Sequence, residues 1–525
     1  MSTGVVWFRK CLRLDDNPAL LELSRDQSIR AILPIYILDP QVIGNSLDNY
    51  GKARIRFLLE SLQDLDARLN ARFQTELLIY QGDPLEIFNE LVGASRSSID
   101  LIVSEYCSEP HGRKLSQAIE MHFQRKSSSP KVRFHKAVHT LSDLEDTVAS
   151  AGFKNPKSMK DVRKIFSDRF DSDKEGFLKI PSPVPIPRKL QPLPEKPFYQ
   201  ILPDSSSIRF HSLPSFRDEI SNRGLLPTPI HPSPFKGGET EALARLKRKV
   251  TGAPDFVNSF RKPKTFSTNQ PADPLEPSTT GLSPYLSTGC LSVRRLWEET
   301  EKHNRTCEHT QPPESLHGQL LFREMFYLLS RSVDHWDNDV GNSMCKQIDW
   351  GDEEEKMQAW EKGLTGFPYI DAMMRQLDAT GWMHHLGRHA VSCFLTRGQL
   401  WQHWKKGRDV FERKLLDSDW ALNNANWLWL SGVAPFSMPY FRLYNPCPDS
   451  KSSLNVETKS AQFIKFWIPE LENFPPKYIY EPHLAPDSLQ SDSKCIIGRD
   501  YPNPIVDRKT SAAQNLKAFK LGLKR

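Results

Sequence analysis

Residues 381–389 read Gly-Trp-Met-His-His-Leu-Gly-Arg-His, and residues 417–429 read Asp-Ser-Asp-Trp-Ala-Leu-Asn-Asn-Ala-Asn-Trp-Leu-Trp. If both segments are helical, His385 and His389 share one face, one turn apart, with Arg388 beside His385. Carboxylates and indoles of the second segment then become complementary partners. A histidine pair alone is equally consistent with core packing, but the full combination predicts a functional site.

The sequence around this stretch has helical periodicity and few strand candidates. Apolar residues recur every three or four positions in 316–331, 367–379 and 384–397. This pattern predicts an all-helical domain at residues 236–505, followed by a short basic tail at 506–525.

The first 140 residues alternate short apolar runs with longer amphipathic stretches. The runs are residues 5–8, 31–38, 77–80, 101–104 and 132–135. This alternation is typical of parallel β-strands joined by helices. We therefore predict an N-terminal α/β domain with a Rossmann-like parallel sheet at residues 1–140. Its first strand is not followed by the G-x-G-x-x-G fingerprint of ordinary dinucleotide binding.

Proline is dense between residues 181 and 234, and residues 181–187 read Pro-Ser-Pro-Val-Pro-Ile-Pro. Such a sequence cannot form regular helix or a central strand. It predicts an extended surface connection, and we assign residues 141–235 to an inter-domain linker.

Composition sets the broad class. The chain has 525 residues, a net charge of +6 and 8 cysteines. The cysteines form no C-x-x-C pair, and no apolar run is long enough to cross a bilayer. We expect a soluble, intracellular protein without membrane association. A monomeric state and a nuclear location, with an organelle left open, are further expectations that composition does not decide. The mild positive charge permits nucleic-acid binding but does not establish it.

Hydroxyl residues precede Pro284 in the sequence 278–286. Ser283 is the expected N-cap and Pro284 the first helical residue, so the free amides there suit a phosphate. Most helix starts of this kind bind nothing, and that alternative stays open.

The histidine pair has two chemical interpretations. Leu386 occupies the position that glutamate takes in an H-E-x-x-H zinc site, so we expect no metal. Histidines that titrate near neutrality are general acids instead. Asp417 and Asp419 are interpreted as magnesium ligands, as solvated carboxylates, or as partners of Arg388.

Five stretches together resemble the photolyase/cryptochrome family over nearly the whole chain. They are residues 7–20, 279–283, 364–377, 384–389 and 416–420. His-His-Leu-Gly-Arg-His is similar to the branch of (6-4) photolyases and animal-type cryptochromes, and residues 260–265 and 282–286 support it.

The resemblance implies an FAD in the helical domain, and an α/β domain that holds a second antenna chromophore of folate or deazaflavin type. Residues that match the family's cofactor-binding positions are Thr279, Thr280, Leu282, Ser283, Gln319, Arg323, Trp382, His385, Arg388, Asp417, Asp419 and Asn423. Among them Arg388 and Asp417 match a salt bridge beside the isoalloxazine, and Asn423 matches the residue that faces flavin N5. Asparagine there is typical of repair enzymes.

The resemblance also implies roles in electron transfer and catalysis. Residues that match an electron relay are Trp427, Trp404, Trp350 and, as a fourth member, Trp401. His385 and His389 match the catalytic pair that faces a (6-4) lesion in UV-damaged DNA. Matching substrate-binding positions are Gln319 and Trp429, with Lys264 as a further phosphate contact.

Three departures from the family pattern concern lesion choice and antenna binding. Phe322 stands where repair enzymes commonly have tryptophan, and residues 431–456 differ from the usual aromatic-rich run. Residues 154–160, Lys-Asn-Pro-Lys-Ser-Met-Lys, replace the expected pattern of proline and aromatic residues. Our leading hypothesis is light-driven repair of (6-4) photoproducts. The alternative is an animal-type cryptochrome, a photoreceptor or clock regulator acting through protein partners, and a dual role is compatible with both. The short C-terminus favours repair, and a nucleotide-dependent flavin reductase has no supporting fingerprint.

Overall fold

The computed structural model describes residues 2–524 apart from 46, 48, 95–98, 126–128, 188–206, 227, 229–230, 232, 269–272 and 274. Within these residues the chain forms an N-terminal α/β domain and a C-terminal helical domain. No helix in this part of the chain combines the length and apolarity needed to cross a bilayer.

The α/β domain is built on a six-stranded sheet of order β5-β4-β1-β2-β3-β6. Its strands are β1 Thr3–Phe8, β2 Ala31–Leu38, β3 Leu78–Gln81, β4 Ile99–Glu105, β5 Lys131–His135 and β6 Arg209–His211. The first five are parallel, as predicted, and β6 pairs antiparallel with β3. Every residue of β1 and β2 is buried, because helices cover both faces of a parallel sheet.

Helices of the first half of the chain surround this sheet. They are α1 Pro18–Arg25, α2 Pro40–Ile43, α3 Lys52–Phe73, α4 Pro84–Ala94, α5 Pro110–Gln124, α6 Leu144–Ala149, α7 Met159–Phe170 and α8 Leu213–Asn222. Asp83 accepts hydrogen bonds from the amides of Leu85 and Glu86 at 2.9 and 3.0 Å, so it caps α4.

The second half of the chain is helical, as its periodicity predicts. Its helices are α9 Glu239–Leu246, α10 Pro254–Ser259, α11 Ser283–Ser287, α12 Val293–Asn304, α13 Leu316–Ser332, α14 Glu354–Lys362, α15 Pro368–Thr380, α16 His385–Cys393, α17 Trp404–Lys414, α18 Trp420–Leu430, α19 Gln462–Trp467, α20 Asp487–Asp492 and α21 Arg508–Gly522. A π-helical turn, Phe394–Gly398, follows α16 directly. Helix α18 packs against α13, α16 and α17, and α15 packs against α16, which carries most of the stretch 381–389.

The predicted extended connection is wrong for residues 209–222, which form β6 and α8. A three-residue edge strand needs little sequence signal, because β3 already offers unpaired backbone groups at that edge. Part of the proline-dense segment, 188–206, lies outside the described residues. In the same predicted linker α6 and α7 pack against α13, and in the predicted tail α21 packs against the π turn. The domain boundaries themselves stay predictions.

The stretch 7–20 joins the two domains. Arg13 is buried and donates to the carbonyl oxygens of Gly289 and Val138 at 2.9 and 3.0 Å. Asp16 accepts two bonds from the Arg294 guanidinium at 2.6 and 2.9 Å. These buried charge-assisted contacts fix the sheet domain against α12.

Candidate functional site

The two histidines lie on one face of α16, as predicted. Helix α16 begins at His385, and His384 caps it by accepting the Leu386 amide at 3.1 Å. The ring centroids of His385 and His389 are 5.8 Å apart. The two imidazoles therefore form one side-chain pair on α16.

Arg388 and Asp417 form a two-pronged ion pair with N···O distances of 3.0 and 2.8 Å. The loop that carries Asp417 is held to the histidine stretch, because the Leu416 amide donates to the Gly381 carbonyl at 2.8 Å. Of the three interpretations for this carboxylate, the structure selects the partner of Arg388.

The turn 279–283 reaches the same loop through α11. The hydroxyl of Ser287 donates to the carbonyl oxygen of Ser418 at 2.8 Å. Thr279 and Thr280 are half-buried and Leu282 is buried, while Ser283 is exposed. The prediction of Ser283 as N-cap is wrong: Ser283 is the first helical residue and Leu282 the cap, because Gly281 at φ 62° turns the chain one residue earlier.

Among the buried polar atoms without a hydrogen-bond partner in the described residues, one belongs to a predicted cofactor-binding residue and one to the loop that carries Asp417. They are Oε1 of Gln319 and Oγ of Ser418. Gln319 Nε2 donates to the Pro313 carbonyl at 2.9 Å, which fixes the amide and leaves its oxygen free. Buried acceptors without partners are costly, so such atoms indicate a ligand. Trp382 is buried nearby and packs against Phe235 at 5.8 Å.

Arg323 and Asp419 form a separate group that faces the α/β domain. Both contact Tyr327: its hydroxyl donates to Asp419 at 2.8 Å, and Arg323 lies over its ring at 4.7 Å. Arg323 also donates to the His139 carbonyl, and Asp419 caps α18 through the Leu422 amide. Among the described residues neither of them forms a hydrogen bond with Arg388 or Asp417, and their cofactor contacts stay predictions.

Aromatic side chains form the wall beside the histidines. Trp429 contacts His389 edge to face, with centroids 5.2 Å apart. The rings of Phe322 and Trp429 are nearly parallel, at 11° and 6.4 Å between centroids. Phe322 thus takes a position in the wall, although it departs from the family's tryptophan.

Tyr444 is a site residue that sequence reasoning missed. Its hydroxyl lies 3.0 Å from Nδ1 of His389. It belongs to the atypical stretch 431–456, where the family pattern offered no signal. Because an imidazole nitrogen is a stronger acceptor than the Met438 sulfur at 3.3 Å, we assign the Tyr444 O–H to Nδ1, which leaves the His389 proton on Nε2.

The histidines do not titrate near neutrality, so that hypothesis is wrong for the free pocket. Burial, together with the nearby cations Lys262 and Arg388, lowers the pKa of His389 from 6.5 to about 3. Burial and the neighbouring His384 and Lys262 hold the pKa of His385 well below its ordinary value. Both imidazoles are therefore neutral at pH 7.

Lys262 is a second residue that sequence reasoning missed. Burial, with Arg388 beside it, lowers the pKa of Lys262 to about 8. Lys264, the predicted phosphate contact, is exposed at the end of the same turn, Lys262–Lys264. Two lysines on either side of Pro263 were the available signal, but sequence alone cannot say which one faces the histidines.

We expect the stability of the protein to fall on acidification through His384. This imidazole is fully buried, and its pKa is lowered by burial to about 3 from 6.5. The unfolded chain therefore takes up a proton below about pH 6.5 that the folded chain does not bind, and this imidazole alone lowers the stability by about 1.4 kcal/mol per pH unit, in addition to the contributions of His385 and His389. Urea unfolding at pH 7, 6 and 5 measures this slope.

The matched variant for this measurement is His384→Asn, which keeps a capping side chain for α16. Between pH 6 and 5 the free energy of unfolding of this variant should fall less steeply than that of the wild type, by a difference that corresponds to about one bound proton. Identical slopes for both proteins would show that His384 is not the group responsible.

The four tryptophans of the predicted relay divide into a buried pair and a half-buried pair. Trp427 and Trp404 are fully buried on α18 and α17. Trp404 lies one turn from Gly407, where an added Cβ would collide with the Trp427 ring, so the two helices are in close contact there. Trp350 and Trp401 are half-buried with centroids 4.8 Å apart.

Two sequence profiles match the chain. One described as "DNA photolyase" matches residues 4–186, and one described as "FAD binding domain of DNA photolyase" matches residues 315–521. A "(6-4)DNA photolyase" of Oryza sativa subsp. japonica is 38% identical over 526 residues, covering 98% of this chain and 88% of that protein. The chain belongs to the photolyase/cryptochrome family. Cryptochrome-1 of Erithacus rubecula is 37% identical over 530 residues, with 98% and 78% of the two chains covered.

Solved photolyase/cryptochrome structures share the fold. A class III photolyase from Agrobacterium tumefaciens matches with a TM-score of 0.77 and 25% identity, covering 100% of this chain and 98% of that one. A Synechocystis cryptochrome matches with a TM-score of 0.79 and 23% identity, covering 99% of each chain.

The residues of the site fit the flavin that this family's helical domain binds. An isoalloxazine edge presents donors and acceptors together, and the site offers a guanidinium at Arg388 and the unpartnered oxygens of Gln319 and Ser418. Asn423 adds an amide from the first turns of α18.

The structure supports the predicted antenna chromophore less well than it supports the flavin. The crevice at the carboxyl ends of β1 and β4 is the expected place for a ligand in such a sheet. Lys10, Glu105, His139 and Tyr327 line it, but its cavity volume is about 20 Å³. That is room for one water rather than a ring system. A larger cavity of about 590 Å³, between α7 and α12, contains none of the predicted site residues.

Proposed function

We propose that this protein repairs (6-4) pyrimidine–pyrimidone photoproducts in DNA under blue light, with a bound reduced FAD as cofactor. The observation that carries the proposal is the pair His385 and His389, set beside Trp429 and one turn from the Arg388–Asp417 ion pair. Relatives from rice and Arabidopsis thaliana, 38% and 36% identical, carry the name "(6-4)DNA photolyase". When bound and excited, the reduced FAD supplies a single electron to the lesion.

The chain's own residues hold the cofactor and limit its motion. Arg388 offers fixed guanidinium donors, and Asp417 keeps that guanidinium in place through two bonds. Gln319 and Ser418 supply polar atoms that have no hydrogen-bond partner among the described residues. Thr279 and Thr280 stand at the turn assigned to the phosphates.

His385 and His389 act as neutral hydrogen-bond donors before they act as acids. Because Tyr444 occupies Nδ1 of His389, Nε2–H is free to donate to a lesion oxygen or nitrogen that gains negative charge. That charge raises the pKa of the imidazole and offsets the lowering by burial and by Lys262. The proton is therefore held at the reacting end of the pocket until charge develops there.

The substrate reaches these residues only when the damaged bases leave the duplex. Trp429 and Phe322 offer apolar faces to flipped bases. The positive charge of Lys262 is close enough to the histidines to lower the pKa of His385. A cation there contacts DNA phosphate with an affinity that falls as salt rises.

The proposal is tested with oligonucleotides that carry either a (6-4) photoproduct or a cyclobutane dimer. The purified protein is reduced, mixed with each DNA and illuminated with blue light. We expect repair of the (6-4) DNA only, measured as restored thymines by chromatography. Repair of the cyclobutane dimer alone would reject the assigned lesion.

Signalling is the second candidate function, favoured by the Cryptochrome-1 relatives at 37% identity. A cryptochrome shares the flavin and the tryptophans but signals through partner proteins. Flavin photoreduction without repair of either lesion is the result that would select this function.

We expect Trp404→Phe to slow flavin photoreduction at least about tenfold, equivalent to about 1.4 kcal/mol of activation free energy. A phenyl ring is harder to oxidise than an indole, so the substitution interrupts the route from Trp350 and Trp401 to Trp427. The measurement is the loss of oxidised flavin absorbance under blue light with an external reductant.

The control for this prediction is Trp360→Phe. Trp360 is as buried as Trp404 and lies 6.3 Å from Trp427, but it is outside the predicted relay. Equal slowing in both variants would assign the effect to packing around Trp427 rather than to the relay.

A folate or deazaflavin antenna in the α/β domain stays part of the proposal as an accessory group. Its test is the absorbance spectrum of the purified protein, where a second chromophore adds a band that flavin lacks.

A further inference from the structure

Asn423, the residue that matches the family's neighbour of flavin N5, is held from behind by α17. Its side-chain Nδ2 donates to the Arg408 carbonyl at 3.0 Å and to the Glu412 carboxylate at 3.3 Å. The side chain is almost fully buried, so these two bonds determine its orientation.

Both partners on α17 are hydrogen-bond acceptors, and this determines which end of the Asn423 amide faces α17. A carbonyl and a carboxylate can pair only with the NH₂ group, so the opposite assignment of Oδ1 and Nδ2 would set oxygen against oxygen. Oδ1 of Asn423 therefore points away from α17.

The turn of α17 that carries these acceptors is itself fixed. The Arg408 guanidinium donates to Asn424 at 2.7 Å and to the Asp337 carbonyl at 3.0 Å. The Glu412 carbonyl accepts from Arg54 of the α/β domain. The backbone of Glu412 is therefore anchored at the domain interface, and its carboxylate contacts Asn423.

We propose that Glu412 is a positioning residue that keeps the Asn423 carbonyl turned toward the flavin. This inference rests on the proposed function, because it needs FAD beside Asn423. In this orientation the amide oxygen accepts a hydrogen bond from a flavin N–H. No amide N–H is available to donate to an unprotonated ring nitrogen. The amide therefore stabilises the reduced cofactor, which carries the hydrogen, relative to the oxidised one.

The test is the midpoint potential of bound FAD in Glu412→Leu. We expect the ratio of reduced to oxidised flavin at a given potential to fall about tenfold, which is about 30 mV for a two-electron couple. Glu412→Gln keeps an acceptor oxygen, so its midpoint potential should differ from that of the wild type by less than about 30 mV.

The sign of the change in midpoint potential distinguishes a lost orientation of Asn423 from a mere loss of the Glu412 charge. Removing a carboxylate near the flavin without any other effect would make reduction easier and raise the potential. A raised or unchanged potential in Glu412→Leu would overturn the proposal. Glu412→Ala carries the same expectation if the leucine variant does not fold.

Two comparisons complete the experiment. Asp409→Leu removes an exposed carboxylate from the same helix and should leave the potential unchanged. In an Asn423→Ala background, Glu412→Leu should have no further effect, because the amide that it orients is gone. A full effect in that background would also overturn the proposal.

Failure of the inference is distinguishable from failure of the proposed function. Normal (6-4) repair together with an unchanged potential in Glu412→Leu rejects the role of Glu412 alone. A lowered potential without any DNA repair rejects the repair function and leaves the role of Glu412 standing. A wild-type protein that binds no FAD rejects both.

Discussion

His389→Ala should lower the rate of (6-4) repair by about 10² to 10⁴, the usual contribution of a positioned proton donor. The reason is the Nε2–H that Tyr444 fixes by bonding the other ring nitrogen of His389. Single-flash illumination of the reduced protein bound to lesion DNA measures the yield per turnover. The flavin content and the affinity for DNA should change little, since neither depends on this proton.

Tyr444→Phe is the matched variant for the histidine. It keeps the ring that packs against His389 at 5.7 Å and removes only the hydroxyl. We expect a smaller loss, about tenfold, because the imidazole remains but its tautomer is no longer fixed. Undiminished repair in a protein that lacks both His385 and His389 imidazoles would remove them from the reaction.

Asp16→Asn should destabilise the protein by about 3 to 5 kcal/mol, the cost of leaving one partner of a buried ion pair uncompensated. Asp16 is 0% exposed and its partner Arg294 8% exposed. The same carboxylate also accepts the Ser292 hydroxyl and the Val184 amide. Urea unfolding of the purified protein gives the loss directly.

Asp15→Asn provides the comparison at the neighbouring position. Asp15 and Arg295 form the same two-bonded geometry but are 13% and 27% exposed. Water then compensates the unpaired guanidinium, so we expect a loss of about 1 kcal/mol or less. Equal losses at the two positions would show that burial does not set the strength of this inter-domain contact.

Much of the fold was predictable because it depends on local periodicity. The five parallel strands follow from short apolar runs, and α13, α15 and α16 follow from apolar residues at helical spacing. Strand β6 and helix α8 were not predictable in the same way. Their segment is rich in proline, and β6 exists only because β3 presents a free edge.

The candidate site shows the same division. Residues one helical turn apart, such as His385 and His389, are neighbours in any helix, so sequence spacing was sufficient to place them together. Arg388 and Asp417 were a correct pairing among several alternatives, and only the fold of the 415–419 loop selects it. Tyr444 and Lys262 come from separate parts of the chain, and no local pattern links them to the histidines.

The protonation states were beyond the sequence for a physical reason. An imidazole has an ordinary pKa of about 6.5 in water, which suggested titration near neutrality. The observed lowering comes from burial and from the charges of Lys262 and Arg388, which are properties of the packed structure.

The sequence by itself determined the two-domain architecture, the family and the residue types of the pocket, because periodicity and short spacings survive in any folded arrangement of this chain. Only the tertiary structure decided which distant groups meet: the tyrosine that fixes a tautomer, the lysine that faces the imidazoles and the glutamate that orients Asn423. Hydrogen bonds and desolvation act over a few ångströms in space, and distance along the chain carries no information about them.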